Sequence, residues 1–279
     1  MEIKQLETRA KQIRSTILET IHHAGAGHIG GPLSAVDVLN YLYFKEMNID
    51  SKDGRKENRD RFILSKGHSA IALYTVLAYR GFLPMEELTT FDALNSRLQG
   101  HPDMTLLPGL DMSTGSLGQG LSAGLGMALG AKAQNASFRT YCMIGDGESQ
   151  EGQIWEAADV ASKYGVDNLV CIVDNNRLQQ FGWSDDQVTR NAPLEDPSDR
   201  WKAFGWHVIS IDGHCYDSLD QAFKEARETK GKPTVIIANT IKGKGVSFME
   251  GAYLWHSKVP TQEELQLALT ELETEGMEG

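Results

Sequence analysis

Short apolar segments alternate with longer amphipathic ones along most of the chain, and this alternation predicts the secondary structure. Apolar runs typical of buried strands lie at 61–65, 140–144, 169–173, 206–211 and 234–238. Helix-length segments lie at 4–22, 34–47, 70–80, 151–164, 218–229 and from residue 262 onward. Strands separated by helices form parallel βαβ units, and strands without polar alternation are covered on both faces. We therefore predict an α/β fold, a doubly wound, mostly parallel sheet with helices on both faces.

The chain has no sequence feature that divides it into domains. Its length alone allows one large domain or two small ones. There is no internal repeat, no low-complexity tract and no linker rich in proline or serine. We therefore predict a single domain over residues 1–279, in which residues 261–279 form a C-terminal helix and tail.

Composition and charge narrow the class of protein. Hydrophobic residues make up 41% and charged residues 23%, as in ordinary soluble proteins. The net charge of -11 argues against general affinity for nucleic acid or anionic membranes. The polar N-terminal helix is not a signal peptide, and no apolar run is long enough to span a bilayer. Cys142, Cys171 and Cys215 are far apart and form no CxxC pair, so we expect reduced thiols in a cytoplasmic protein.

The segment GDGESQEGQIWEAADVASKYGVDNLVCIVDNN, residues 145–176, joins the ends of two predicted strands. Asp146 follows the first strand and Asn176 the second, so both are expected at the ligand-binding edge of the sheet. The flanking glycines let a ligand approach the backbone, and the next helix offers free N–H groups to phosphate oxygens. The GDG stretch alone, or the asparagine pair at 175–176 alone, would be interpreted as an ordinary turn. Together they predict a site for Mg²⁺ and an anionic ligand.

Further short motifs rich in glycine and histidine follow one another along the chain: GAGHIGGP (25–32), SKGHSA (65–70), GHPD (100–103), STGSLGQG (113–120) and WHSK (255–258). The spacing from GDG to the asparagine pair resembles the thiamin diphosphate signature, and these motifs, in this order, resemble the transketolase family. The resemblance covers nearly the whole chain and is to the N-terminal, diphosphate-binding half of transketolase. Full-length members tend to have proline in place of Ile29 and Ser116, whereas two-subunit members resemble this chain. These departures leave the sugar preference open.

The resemblance implies a thiamin diphosphate cofactor and a bound Mg²⁺, for which Ca²⁺ or Mn²⁺ can substitute. Asp146, Asn176 and the main-chain carbonyl of Leu178 would bind the metal. Gly147 would meet the diphosphate through its N–H. The full set of implied cofactor contacts is His68, Gly115, Ser116, Leu117, Asp146, Gly147, Glu148, Asn176 and His256. The glycine stretch does not fit a dinucleotide site, because its spacing is wrong and no strand precedes it.

Four of the eight histidines fall within these motifs. In the family, the protein takes a proton from a sugar hydroxyl and hydrogen-bonds the carbonyl oxygen, and imidazoles do both near neutral pH. The resemblance places His28, His101 and His256 along the substrate channel, and gives His68 and His256 contacts to the diphosphate. The remaining histidines, His22, His23, His207 and His214, are interpreted as ordinary structural or surface residues.

Other charged residues leave two readings open. Glu151 is either a favourable charge in the first turn of a helix or the family glutamate that bonds across the subunit interface to the cofactor-activating glutamate. Lys242 and Lys244, in IKGKG, either attract an anionic substrate or are simply solvated.

We therefore predict the N-terminal subunit of a transketolase that moves a two-carbon ketol unit between sugar phosphates. By resemblance it would need a pyrimidine-binding partner subunit in an α₂β₂ assembly. The alternatives are the corresponding half of another thiamin diphosphate enzyme, such as a 1-deoxyxylulose-5-phosphate synthase or a decarboxylase, and a non-catalytic cofactor-binding subunit.

Overall fold

Five parallel strands form one sheet in the computed structural model, which describes residues 2–54, 56–180 and 196–274. Their spatial order is β1-β2-β3-β5-β4, and every neighbouring pair is parallel. The strands are β1 (Arg61–Leu64), β2 (Thr140–Gly145), β3 (Leu169–Asn175), β4 (His207–Asp212) and β5 (Thr234–Asn239). The predicted α/β class is confirmed, and the sheet is wholly parallel among the described residues.

Helices lie on both faces of the sheet; most lie close to their predicted bounds, whereas the helix at 198–203 was not predicted. They are α1 (Ile3–Ala24), α2 (Gly30–Tyr41), α3 (Ala70–Arg80), α4 (Gln119–Ala133), α5 (Gly152–Lys163), α6 (Ser198–Ala203), α7 (Tyr216–Glu228) and α8 (Gln262–Thr274). Helices α1 and α3 each end at a glycine in the left-handed region, Gly25 and Gly81, as is common for helix ends. Helix α8 lies within the predicted C-terminal segment 261–279, and residues 275–279 lie outside the described residues.

Two elements differ from the sequence prediction. Helix α2 begins at Gly30 rather than at residue 34, and it passes at Leu42–Glu46 into a π-helical turn. Every residue of α2 is buried, so no polar face marks where it starts. Strand β3 continues past residue 173 to Asn175, because its last two polar residues are buried and paired with β5.

The side chains of the central strands alternate between two cores, one on each face of the sheet. Residues such as Met143, Ile172 and Ile236 pack with α1, α2, α3, α7 and α8. Their strand neighbours, such as Cys142 and Cys171, pack with α4, α5 and α6. This alternation follows from the two-residue period of a strand and confirms the helices predicted on both faces.

The winding of the chain reverses between β3 and β5. The helices that follow β2 and β3 along the chain, α5 and α6, belong to one core, whereas those that follow β4 and β5, α7 and α8, belong to the other. Adjacent strands β3 and β5 therefore send the chain to opposite faces, which opens a crevice at their carboxyl ends. No helix of the described residues is long and apolar enough to cross a membrane.

Candidate active site

A cavity of about 480 Å³ opens at this carboxyl edge of the sheet. It is lined by every predicted site residue except Ser116: His28, His68, His101, Gly115, Leu117, Asp146, Gly147, Glu148, Glu151, Asn176, Leu178 and His256. Ser116 lies between two lining residues but is itself exposed and outside the cavity wall. The motifs that are scattered along the sequence thus meet in one place.

Asp146 lies directly after β2 and is 6% exposed. Its Oδ1 accepts the Gly147 N–H at 2.7 Å and its Oδ2 accepts the Arg177 N–H at 2.6 Å. No ion pair to this carboxylate occurs within the described ranges. Burial and the neighbouring Asp174 raise the pKa of Asp146 to about 6. A cation bound beside the carboxylate would remove this electrostatic cost.

The other two predicted metal ligands follow β3. The Asn176 Oδ1 accepts the Leu178 N–H at 3.1 Å, so this short loop folds back on itself. Lys242 lies in the loop after β5, and its Nζ donates to the Leu178 carbonyl at 3.0 Å. One carboxylate, one amide oxygen and one carbonyl match the oxygen ligands that Mg²⁺ prefers. No group of three His, Cys, Asp or Glu side chains suited to a metal occurs among the described residues, so a metal here would need the neutral oxygens of Asn176 and Leu178 beside the Asp146 carboxylate.

A second buried carboxylate, Asp174, lies at the end of β3 and pairs with Lys66. Lys66 Nζ also donates to the Gly31 carbonyl at 3.1 Å. Ser34 donates to Asp174 Oδ2 at 2.6 Å, and the Thr240 hydroxyl donates to Oδ1. Burial alone would raise the pKa of Asp174, but Lys66 and the hydroxyl donors hold it below its ordinary value. Lys66 lines the cavity, and Asp174 behind it balances its charge.

The four motif histidines gather in the same cavity. The ring centroid of His28 lies 5.1 Å from that of His68, 5.0 Å from that of His256 and 6.4 Å from that of His101. The rings of His68 and His256 lie 5.5 Å apart. His101 is the most exposed of the four and stands at the cavity mouth. Residues that are distant in sequence thus present a set of ring nitrogens to one small volume.

Burial and nearby cations keep the inner histidines neutral. Burial, Lys66 and the other rings lower the pKa of His68 to about 2. Burial and Lys242 lower the pKa of His256 to about 3, and burial with His101 lowers that of His28. Lys242 Nζ lies 2.9 Å from His256 Nδ1, and an ammonium only donates. The proton of His256 is therefore on Nε2, which makes this nitrogen a donor.

Glu148 and the glycine loop before α4 form the cavity wall. The Glu148 carboxylate accepts from the Ser65 hydroxyl, from Gly118 N at 2.9 Å and from Gly145 N at 3.0 Å. It thereby ties together the ends of β1 and β2 and the start of α4. A Cβ on Gly115, whose φ is +146°, would lie 3.1 Å from His101 Cδ2, so this glycine lets the loop approach the histidine.

Comparisons with known proteins agree with this geometry. Residues 6–276 match the family "Transketolase, thiamine diphosphate binding domain". The chain belongs to the transketolase family. It is 46% identical over 271 residues to a 6-deoxy-6-sulfo-D-fructose transketolase subunit from Clostridium sp. (strain MSTE9), covering 97% of both chains. It is 42% identical to one subunit of an apulose-4-phosphate transketolase from Phocaeicola vulgatus, covering 98% of this chain and 95% of that relative.

Single-chain transketolases are similar to this chain over part of their length. The human transketolase is 43% identical over 262 residues, which are 92% of this chain and 40% of the human one. A crystal structure of transketolase from Campylobacter jejuni superposes with a TM-score of 0.88 and 32% identity, covering 98% of this chain and 43% of that one. The chain thus spans less than half of these enzymes. It is a subunit of a thiamin diphosphate-dependent transferase of the transketolase type, as the motifs predicted, and not of a synthase or decarboxylase.

The two lysines of the IKGKG segment lie in different environments. Lys242 is 3% exposed and lines the cavity, and burial with the nearby Lys66 lowers its pKa to about 8. Lys244 points elsewhere and pairs with Glu250 at 3.1 Å. The interpretation of Lys242 as a solvated surface lysine is therefore wrong. Glu151 is exposed at the cavity mouth just before α5, a position compatible with both of its predicted roles.

Sequence reasoning missed the buried pair Lys66 and Asp174 of this transketolase site. Lys66 stands inside the SKGH motif, and Asp174 stands two residues before Asn176. A signal was present, because an acid that ends an apolar strand and a lysine that follows another are both expected at the ligand-binding edge. Their pairing could not be predicted from the sequence, since lysine and aspartate are usually exposed and nothing indicated that these two are buried.

Proposed function

We propose that this protein binds thiamin diphosphate and Mg²⁺ in the described cavity and, with a partner subunit, moves a two-carbon ketol unit from a ketose donor to an aldose acceptor. The observation that supports this most directly is the gathering of His28, His68, His101 and His256 above Asp146 and the loop after β3. Sulfonated or phosphorylated sugars are the substrate class that the names of the similar subunits suggest. A cytoplasmic site of action agrees with the three free cysteines.

The floor of the cavity would hold the metal and the diphosphate. Asp146, the Asn176 side-chain oxygen and the Leu178 carbonyl would bind the metal, and the Gly147 N–H would meet a diphosphate oxygen. The buried ammonium of Lys242, in contact with the Leu178 carbonyl, would add a positive charge beside that anion. The fit rests on Asp146, whose buried carboxylate lacks an ion-pair partner within the described residues.

The histidines would handle protons of the sugar. Bound thiamin diphosphate supplies the electron sink that allows the carbon–carbon bond of the ketose to break. Neutral imidazoles carry one donor and one acceptor nitrogen, so as a set they can hydrogen-bond both a sugar carbonyl and a sugar hydroxyl; His256, whose Nδ1 faces Lys242, would offer its Nε2 donor. A bound diphosphate would add negative charge to the cavity and raise the pKa of His28, His68 and His256 toward the range that is useful for proton transfer.

A partner subunit would complete the site. This chain spans less than half of the single-chain transketolases, and the relatives that it matches over nearly their full length are themselves named as transketolase subunits. Leu117, at the cavity, is 37% exposed, and a Cβ added to Gly126 or Gly130 on α4 would meet no atom within 4 Å. Exposed apolar positions of this kind suit a protein interface. We propose an α₂β₂ assembly, by analogy with the symmetric dimers of the family.

Reconstitution tests the proposed function. The chain is assayed by itself and with its pyrimidine-binding partner, using thiamin diphosphate, Mg²⁺ and a panel of ketose–aldose pairs. We expect turnover only when both subunits are present. Full turnover by this chain alone would contradict the need for a partner.

Substitution of the histidines tests their assigned role. His28→Ala or His101→Ala should lower the turnover of the assembled enzyme by roughly 10²–10⁴-fold if either transfers a proton. Thiamin diphosphate affinity should hardly change. His207→Ala is the matched control, because His207 begins β4 at the opposite edge of the sheet and bonds Glu225. A loss confined to cofactor affinity, with turnover intact at saturation, would reverse the assignment.

A further inference from the structure

The segment after β5 that carries Lys242 is fixed by contacts on both sides. The Thr240 N–H donates to the Asn175 carbonyl at 3.3 Å, and the Gly243 N–H donates to the Gly30 carbonyl at 3.0 Å. Between them, the Ile241 N–H donates to His214 Nε2 at 2.9 Å. Of these contacts, the one from His214 is made by a side chain, and it acts on the residue next to Lys242.

The hydrogen bonds of His214 define its protonation. A backbone N–H only donates, so Nε2 is the unprotonated nitrogen of the ring. The ring proton is therefore on Nδ1, which donates to Asp37 Oδ2 at 2.7 Å. Asp37 is buried and also accepts from Arg14 Nη2 at 2.5 Å and from the Tyr216 hydroxyl at 3.1 Å. A fixed carboxylate thus orients the ring and presents Nε2 to the main chain of Ile241.

The turn that carries His214 is shaped for this contact. The Asp212 carboxylate accepts the His214 N–H at 2.9 Å, which fixes the turn after β4. A Cβ on Gly213 would lie 2.5 Å from Thr240 Cγ2 and 3.1 Å from Ala238 Cβ. Glycine at 213 therefore lets this turn approach the end of β5 closely enough for the imidazole to reach Ile241. Asp212 thus fixes the turn, Gly213 allows its close approach to β5, and His214 contacts the main chain of Ile241.

We propose that His214 is a positioning residue of this transketolase site. By accepting the Ile241 N–H, it fixes the main chain from which Lys242 reaches the Leu178 carbonyl and His256 Nδ1. Asp37 and Arg14 act behind it by holding the ring in the required tautomer and orientation. The inference rests on the proposed function, because that function gives the Lys242 ammonium an anionic neighbour.

Two substitutions separate this role from a purely structural one. In His214→Gln, the side-chain oxygen takes the place of Nε2 and can still accept from Ile241, while the donor to Asp37 is lost. In His214→Asn, the amide N–H takes the place of Nδ1 and can still donate to Asp37, while the bond to Ile241 is lost. Positioning requires the first bond, whereas satisfying a buried carboxylate requires the second.

The experiment titrates thiamin diphosphate into the assembled enzyme with Mg²⁺ by calorimetry, and records turnover and melting temperature in parallel. We expect the affinity of His214→Asn to fall about tenfold or more, as for other residues that orient a ligand-binding group, and that of His214→Gln to stay near wild type. His207→Asn is the control. Weak binding by the Gln variant with normal binding by the Asn variant would overturn the proposal, as would a failure of both variants to fold.

A double-mutant cycle separates this inference from the proposed function. If His214 acts through Lys242, adding His214→Asn to Lys242→Met should cause no further loss of affinity. Losses that simply add would overturn the positioning role. If Lys242→Met alone leaves the affinity unchanged, the proposed role of Lys242 in binding the anion is wrong. If Lys242→Met lowers the affinity but His214→Asn does not, the positioning role of His214 is wrong and the role of Lys242 stands.

Discussion

The ends of strands β2 and β3 each carry a buried aspartate, and the two differ in whether the surrounding residues compensate their charge. Asp174, at the end of β3, is paired with Lys66 and accepts from Ser34 and Thr240, and its pKa lies below the ordinary value. Asp146, just after β2, accepts from two backbone N–H groups, and its pKa is raised to about 6. The two residues are neighbours, since the Asp146 N–H donates to the Asp174 carbonyl at 3.3 Å.

This difference distinguishes a structural carboxylate from a ligand-binding one. A buried charge that is paired within the protein contributes to the fold, and removing its partner is costly. A buried charge that is left without a cation is a cost to the fold and is retained where a ligand compensates it. The comparison therefore gives Asp174 a structural role as the partner of Lys66, and it supports the proposal that Asp146 binds the metal.

The largest expected effect is on ligand binding by the assembled enzyme. Asp146→Ala should abolish Mg²⁺-dependent binding of thiamin diphosphate, because it removes the one carboxylate among the proposed metal ligands. Calorimetry with and without Mg²⁺ measures this. Asp199→Ala, which removes an exposed charge from α6, is the matched control. Undiminished cofactor affinity in the Asp146 variant would count against the metal site.

The next effect is on stability. Asp174→Ala should lower the free energy of unfolding by about 3–5 kcal/mol, because it leaves the Lys66 ammonium buried without its partner. Urea unfolding of the ligand-free chain measures it. Asp199→Ala should cost less than about 1 kcal/mol, as exposed ion pairs do. A loss for Asp174→Ala as small as that of the control would contradict the assignment of a structural pair.

The same contrast explains what could be predicted from sequence. Asp146, Asn176 and the four motif histidines lie in local signals, next to glycines or at predicted strand ends, and the structure brings them together. The succession of strands and helices along the chain and the covered faces of the sheet followed from the apolar pattern. These features depend on residues that are close in sequence or on simple periodicity.

Features that depend on pairing across the fold could not be predicted. The partners Lys66 and Asp174 meet because β1 and β3 flank β2, and no local pattern encodes that contact. Burial of Lys242 is equally invisible in IKGKG, a segment that is typical of solvated loops. Helix α2 was predicted to start too late because all of its residues are buried, which removes the amphipathic pattern used to place its ends.

The smallest effect is a pH dependence that should have opposite signs for the two aspartates. Asp174, with its lowered pKa, contributes stability that is present above about pH 4 and lost as the pH falls further. The pKa of Asp146 is raised from 3.8 to about 6 in the folded chain. Between these two pH values the folded chain therefore keeps a proton on Asp146 that the unfolded chain has already released. The contribution of Asp146 to the stability of the metal-free chain should therefore fall as the pH rises through this window, by up to about 3 kcal/mol, whereas the histidines with lowered pKa values contribute in the opposite direction.

Comparison of wild type with Asp146→Asn isolates this contribution. The amide oxygen can accept only one of the two backbone N–H groups, which changes stability by an amount that does not depend on pH. The diagnostic quantity is thus the change, between pH 4 and 7, in the difference between the two free energies of unfolding, measured in urea with a chelator present. We expect the variant to gain on the wild type as the pH rises, because it lacks the buried charge that forms in the wild type. A difference that stays constant across this range would mean that Asp146 is as well compensated as Asp174, and the distinction between the two strand ends would fail.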